Sequence, residues 1–219
     1  MEAAMKMSIS SIILVTVAIL LACSSAVRQH AAELGSADVQ NRIAAAEALH
    51  QLGRDAHKAL PELILAARDS SPEVRRLAVE TMGMIGKPAL EGTHVLIAAL
   101  SDSNVQVRRC ASVTITQLEA FPSNAFPAYL RTLGDPDTLV RKFTVAGFLD
   151  LGTLGVPTLR RALTDSSALV RQTAALTLGM LGEEATSAKK DLKKATADFD
   201  LEVARRAEEA LRRIERREQ

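Results

Sequence analysis

Residues 70–86 read SSPEVRRLAVETMGMIG, directly after Asp69, and this stretch decides the fold. Apolar or small residues fall at Val74, Leu77, Ala78, Thr81, Met82 and Ile85, three or four apart, the spacing of one buried helix face. Ser71 stands at an N-cap position with Pro72 after it, and Gly86 follows the last apolar residue as a helix stop. The stretch then recurs. Asp69, Asp102, Asp135, Asp165 and Asp198 are separated by 33, 33, 30 and 33 residues. Six residues after the first four stand Arg75, Arg108, Arg141 and Arg171, and Arg42 extends the series backwards, six residues after Ser36. Small residues follow three places on, at Ala45, Ala78, Ala111, Thr144 and Ala174. Leu52-Gly53, Ile85-Gly86, Leu151-Gly152 and Leu181-Gly182 close the segment.

After each such helix comes a short loop and then a second helix. Pro61, Pro127 and Pro157 open these second helices, and Leu63/Ala67, Leu96/Leu100, Tyr129/Leu133 and Leu159/Leu163 are their apolar pairs. One hairpin cannot bury its apolar face alone, but a row of hairpins shares a continuous core. Composition agrees: 47% of residues are apolar, yet aromatics are only 3%, so the core is built from small aliphatic side chains suited to close helix packing. The expected fold is all-α, a solenoid of five to six helical hairpins with units at about 36–69, 70–102, 103–135, 136–165 and 166–198 and a cap at 199–219. The three residues missing from the 30-residue unit fall between Gly152 and Asp165, in its inter-helix loop.

This pattern resembles the HEAT-repeat family, in particular the short bacterial variety named after phycobilisome lyases, over residues 36–214. The resemblance implies a right-handed superhelical stack whose second helices line a concave binding face. It also implies a hydrogen-bonded ladder joining the Asp of one unit to the Arg of the next, here Asp69/Arg75, Asp102/Arg108, Asp135/Arg141 and Asp165/Arg171. These charges read as inter-repeat glue. Ala204 takes the arginine place in the last unit, so the ladder is expected to stop there.

The N-terminus reads differently. Ile9 to Ala22 is an apolar run too short for a membrane span and suited to a signal-peptide core. Its end, Leu20-Leu21-Ala22-Cys23-Ser24, resembles a bacterial lipobox. That resemblance implies a signal peptide over 1–22, lipidation of Cys23 and a short tether over 23–35; the other reading is an ordinary secretory signal or an uncleaved anchor with an incidental cysteine, and Ala26 to Leu34 reads separately as a half-repeat cap on the first hairpin. A start at Met5 would give a more usual charged leader. Two or three acyl chains would anchor the protein stably in the bacterial envelope, and Ser24 after the cysteine resembles the sorting signal for the outer membrane on its periplasmic face.

Chemistry is sparse. The histidines His30, His50, His57 and His94 have no Cys or paired carboxylate at ligand spacing, and no serine or cysteine has a base partner in sequence. A di-iron hydroxylase family of this architecture carries His-Glu dipeptides, and this chain has none. No enzyme activity, metal or small-molecule cofactor is therefore expected. Cys110 reads as a buried free thiol, and Phe121 as a loop residue that is either part of locally irregular packing or an exposed contact. The net charge of +1 gives no reason to expect a nucleic-acid partner. A local charge remains: five and four residues before the repeat aspartates stand Arg131, Arg160, Arg161, Lys193 and Lys194, preceded in earlier units by Ile64, Leu65, Ile97 and Ala98. That strip reads as a docking surface for an anionic partner, either an acidic protein segment or lipid head groups, or as a solvated face. A lipid-anchored, non-enzymatic binding scaffold is the expected function; the alternative is an enzyme or enzyme subunit of the phycobilin-lyase group.

Overall fold

The computed structural model describes residues 24–118 and 126–216. The signal-peptide and lipidation expectations, Cys23 among them, and the expected contact Phe121 lie outside these residues. The chain divides into two compact units, Met1–Ala89 and Leu90–Gln219. Both contain only helices among their described residues, so the all-α repeat solenoid stands.

In the first unit a helix through residues 24–33 (α1) buries Val27 and Ala31. Helices α2 (Val39–Leu52), α3 (Leu60–Ala66) and α4 (Pro72–Ile85) follow. The second unit holds α5 (Thr93–Ala99), α6 (Val105–Gln117), α7 (Phe126–Leu133), α8 (Thr138–Leu151), α9 (Val156–Ala162), α10 (Ala168–Leu181), α11 (Lys189–Ala195) and α12 (Leu201–Arg216). Long first helices thus alternate with second helices of seven or eight residues. The linkers within three hairpins are 3-10 turns, at Gly53–Ala59, Gly152–Gly155 and Gly182–Ala188. The deletion read from the sequence is visible here, in the turn of four residues where its counterparts have seven.

Each helix starts and stops for local reasons. Asp38, Asn104, Asp137 and Asp200 accept hydrogen bonds from backbone N–H groups of the first helical turn. Ser71 and Ser167 occupy the same position with no side-chain capping bond. Gly53, Gly86, Gly152 and Gly182 end their helices with φ between 54° and 82°, a conformation costly for any residue with a Cβ.

The small residues three places after each arginine, Ala45, Ala78, Ala111, Thr144 and Ala174, are fully buried, and all four apolar pairs of the second helices are buried too. Threonines share this core because their hydroxyls bond within their own helix: Thr81 donates to Leu77 O at 2.7 Å and Thr177 to Thr173 O at 2.7 Å. Tyr129 and Phe148 form the aromatic centre of the second unit, edge to face with centroids 5.7 Å apart. Burial pushes the Tyr129 phenol well above its ordinary pKa, with an opposing hydrogen bond to Thr116. α10 and α12 approach closely, and a Cβ on Gly179 would lie 2.9 Å from Ala210 Cα. Cys110 is half-buried rather than buried, since its place on α6 lies at the edge of the core face.

Candidate binding surfaces

The arginine ladder differs from the expected pairing in an informative way. Each repeat arginine does bond the aspartate six residues before it, but through that residue's main-chain carbonyl: Arg75 to Asp69 O at 2.7 Å, Arg108 to Asp102 O at 2.9 Å, Arg141 to Asp135 O at 2.6 Å and Arg171 to Asp165 O at 2.8 Å. Ser36 fills the same role for Arg42 at 3.0 Å, because a carbonyl needs no particular side chain. The carboxylate partner is the aspartate 27 residues further on. Arg42 grips Asp69, Arg108 grips Asp135 and Arg171 grips Asp198, each as a two-pronged pair with Nε–Oδ2 distances of 2.7, 2.7 and 2.8 Å. Asp69, Asp135 and Asp198 each also accept a backbone N–H two residues on while holding the guanidinium, and Asp102 and Asp165 accept the same backbone bond.

These contacts shift the carboxylates. The Arg171 guanidinium holds the Asp198 carboxyl below its ordinary value against some burial. At Asp69 burial pushes upward, but Arg42 and the Ser71 N–H together outweigh it.

One rung lacks its carboxylate. Arg141 and Asp165 are 24 residues apart, not 27, because of the shortened turn, and they form no ion pair. The Arg141 guanidinium turns back to Thr138 Oγ1 at 3.1 Å and to the carbonyls at the start of its own helix. Its neighbour is in the same position. Arg109 on α6 meets Asp137, and Gln172 on α10 meets Asp200, each 28 residues on. For Lys142 on α8 the corresponding residue is Ser167, which carries no carboxylate, and Lys142 has no polar partner among the described residues. Two adjacent cations of α8 therefore lack the counter-charges their equivalents on α6 possess.

Both of these cations line a groove of about 470 Å³ between α8 and α10. Its floor is apolar: Val145, Ala146 and Leu149 from one wall, Leu169, Leu176 and Met180 from the other. Arg206 of α12 adds a third cation, paired with Glu202 at 2.7 Å, and among the described residues no Asp or Glu lines the groove. Sequence reading missed this surface because its walls come from helices 30 residues apart. The available signal was a lysine whose counterpart capping residue is serine instead of aspartate.

The register position read from the sequence is solvent-facing in each unit by itself. Leu65, Ala98, Arg131, Arg161 and Lys194, all four residues before a repeat aspartate, are exposed without exception. Within the second unit α7, α9 and α11 present Arg131, Arg161, Lys193 and Lys194 to solvent. Arg160 is tied to Asp191 at 2.6 Å, and Arg131 reaches Ser101 Oγ at 3.2 Å. Phe199, also missed, is 86% exposed in the turn before α12, and the Arg171 guanidinium lies 4.7 Å from its ring centroid. Among the described residues no cluster of His, Cys, Asp and Glu could hold a metal, and no helix is long and apolar enough to cross a membrane.

No curated protein matches this chain. Among solved structures it is similar to an engineered protein (TM-score 0.57, 16% identity, 87% of this chain and 98% of that one). It is also similar to a designed armadillo repeat protein in complex with the peptide (KR)4 (TM-score 0.54, 19% identity, 85% and 98%). A third is the complex of CpcE and CpcF of phycocyanin lyase from Nostoc sp. PCC7120 (TM-score 0.52, 22% identity, 83% and 74%). At these identities the likeness is one of fold. The family model for HEAT repeats matches residues 27–114 and 127–212. With hairpins, ladder and model match in agreement over most of its length, the chain belongs to the HEAT-repeat family.

Proposed function

We propose that this protein is a non-enzymatic binding scaffold, held by a lipidated Cys23 at the bacterial envelope, which captures an acidic protein segment along its second helices. The observation that carries the reading is the strip itself. The same register position is exposed in every repeat, and in α7, α9 and α11 it holds Arg131, Arg161 and Lys194. Most charges of the strip are free of carboxylate partners, so an incoming acidic segment need not displace an existing ion pair except at Arg160. The designed armadillo protein of similar fold is solved with a basic peptide. A strip that is itself basic calls for a partner of the opposite sign. Anchoring rests on the lipobox-like end of the N-terminal apolar run.

Affinity capture of the membrane-extracted full chain, read by mass spectrometry, tests both parts. The expected result is an acylated Cys23 as first residue and a partner lost from the triple variant Arg131→Glu, Arg161→Glu, Lys194→Glu. An N-terminus at intact Met1 or Met5 refutes the anchor. Undiminished capture by the triple variant refutes the strip.

A further inference from the structure

The groove between α8 and α10 lies on the first helices, so it is a different surface from the strip on the second ones. The geometry points to a docking site there for an acidic amphipathic helix of about three turns. Three observations carry it. The wall on α8 consists of Thr138, Arg141, Lys142, Val145, Ala146 and Leu149, spaced by three and four along one face. At 1.5 Å per residue that wall runs about 16 Å, the length of three helical turns. The facing wall on α10 has the same spacing, so the two together form the furrow into which a third helix lays an i, i+3, i+4, i+7 stripe.

The second observation is charge. Arg141 and Lys142 stand at the groove without carboxylate partners, whereas their equivalents Arg108 and Arg109 are engaged by Asp135 and Asp137. The missing partners have identifiable causes, the short turn and Ser167. An occupant bringing carboxylates along its flank supplies both counter-charges at once, and among the described residues nothing acidic lines the groove to oppose it. The third observation is shape. This is an open furrow with half-exposed Met180 in its floor, and methionine adapts to a docked side-chain surface. An apolar stripe with acidic flanks matches floor and rim together. A single fatty-acid carboxylate would answer only one of the two cations.

The test uses the full chain and a fluorescein-labelled three-turn peptide, stapled as a helix, with Leu at i, i+3, i+4 and i+7 and Glu on both flanks. The expected result is saturable binding by fluorescence anisotropy, weakened by added salt. The double variant Arg141→Gln, Lys142→Gln should lose about tenfold in affinity. Ala146→Trp, at an exposed position, should block the floor while circular dichroism shows an intact fold. The strip variant with three reversals should bind the peptide as the native chain does, which separates this site from the proposed partner strip. Absence of binding overturns the proposal, as does equal binding of a Lys-for-Glu peptide or indifference to both groove variants. Displacement by anionic phosphatidylglycerol vesicles at a lower concentration than by unlabelled peptide would assign the groove to a lipid surface and also overturn it.

Discussion

At the scale of the residue, the arginines are not equivalent. Arg171 is buried, holds Asp198 through two bonds and satisfies two carbonyls at the start of its helix. Replacing it with Ala strands a largely buried carboxylate and should cost about 3 kcal/mol in urea denaturation. Arg141→Ala removes only bonds to carbonyls and a hydroxyl, and should cost about 1 kcal/mol. A reversed order would refute the account of the broken rung. The same pairs set a pH dependence. Asp198 and Asp69 have folded pKa values below the ordinary carboxylate value, so the unfolded chain binds more protons. Their contribution is complete above about pH 4 and is lost as pH falls through the lower folded values. Urea midpoints should therefore drop between pH 5 and more acid solution, and Asp198→Asn should flatten that slope.

At the scale of the element, α10 is packed on several sides. It packs against α8 and α9 and lies so close to α12 that Gly179 meets the Ala210 backbone. Helix propensity alone would favour Ala at position 179 by about 1 kcal/mol. Here the clash involves main-chain atoms, which cannot rotate away, so Gly179→Val should destabilise by about 2 kcal/mol or more. Thermal melting checks this, and a stabilised variant would show that α12 can shift without loss. Sequence patterning did not single out Gly179, because the small register it reads, Ala45, Ala78, Ala111, Thr144 and Ala174, is a different position of the helix. Helix starts were legible for a local reason: the capping residue and the first turn it bonds are neighbours in sequence. Whether a cap closes was not legible, since Ser71 and Asn104 look alike on paper and differ in the bond they make.

At the scale of the whole molecule, the repeat period made the solenoid plain, and the aspartate–arginine spacing marked every ladder residue. The direction of the carboxylate pairing stayed hidden. For Arg75, Arg108 and Arg171 an aspartate stands both six residues before and 27 after, so both satisfy the same period, and only the three-dimensional return of the chain chooses between them. The last described helix, α12, has one apolar and one charged face. Val203, Ala207, Ala210 and Ile214 are buried, while Arg205, bonded to Glu202 and Glu209, faces out. Deleting residues 201–219 would expose the α10 face that packs on this helix. Soluble yield should collapse and dye binding to exposed apolar surface should rise. A soluble, cooperatively folding truncation would mean that α10 can end the stack by itself.

The four-residue turn at Gly152–Gly155 reaches further than its size suggests. Turn length and electrostatic partnership are a single inherited variable here, because a guanidinium reaches the next carboxylate only at a fixed chain separation. Modules of this protein are therefore not interchangeable parts. Transplanting the short unit elsewhere in the array would carry a gap in the ladder with it, together with the unclaimed charge of Arg141. Replacing it by a full-length unit would close that gap, while Lys142 would still face Ser167. A three-residue omission in a linker is in this sense a way for a monotonous array to acquire one address that differs from all the others.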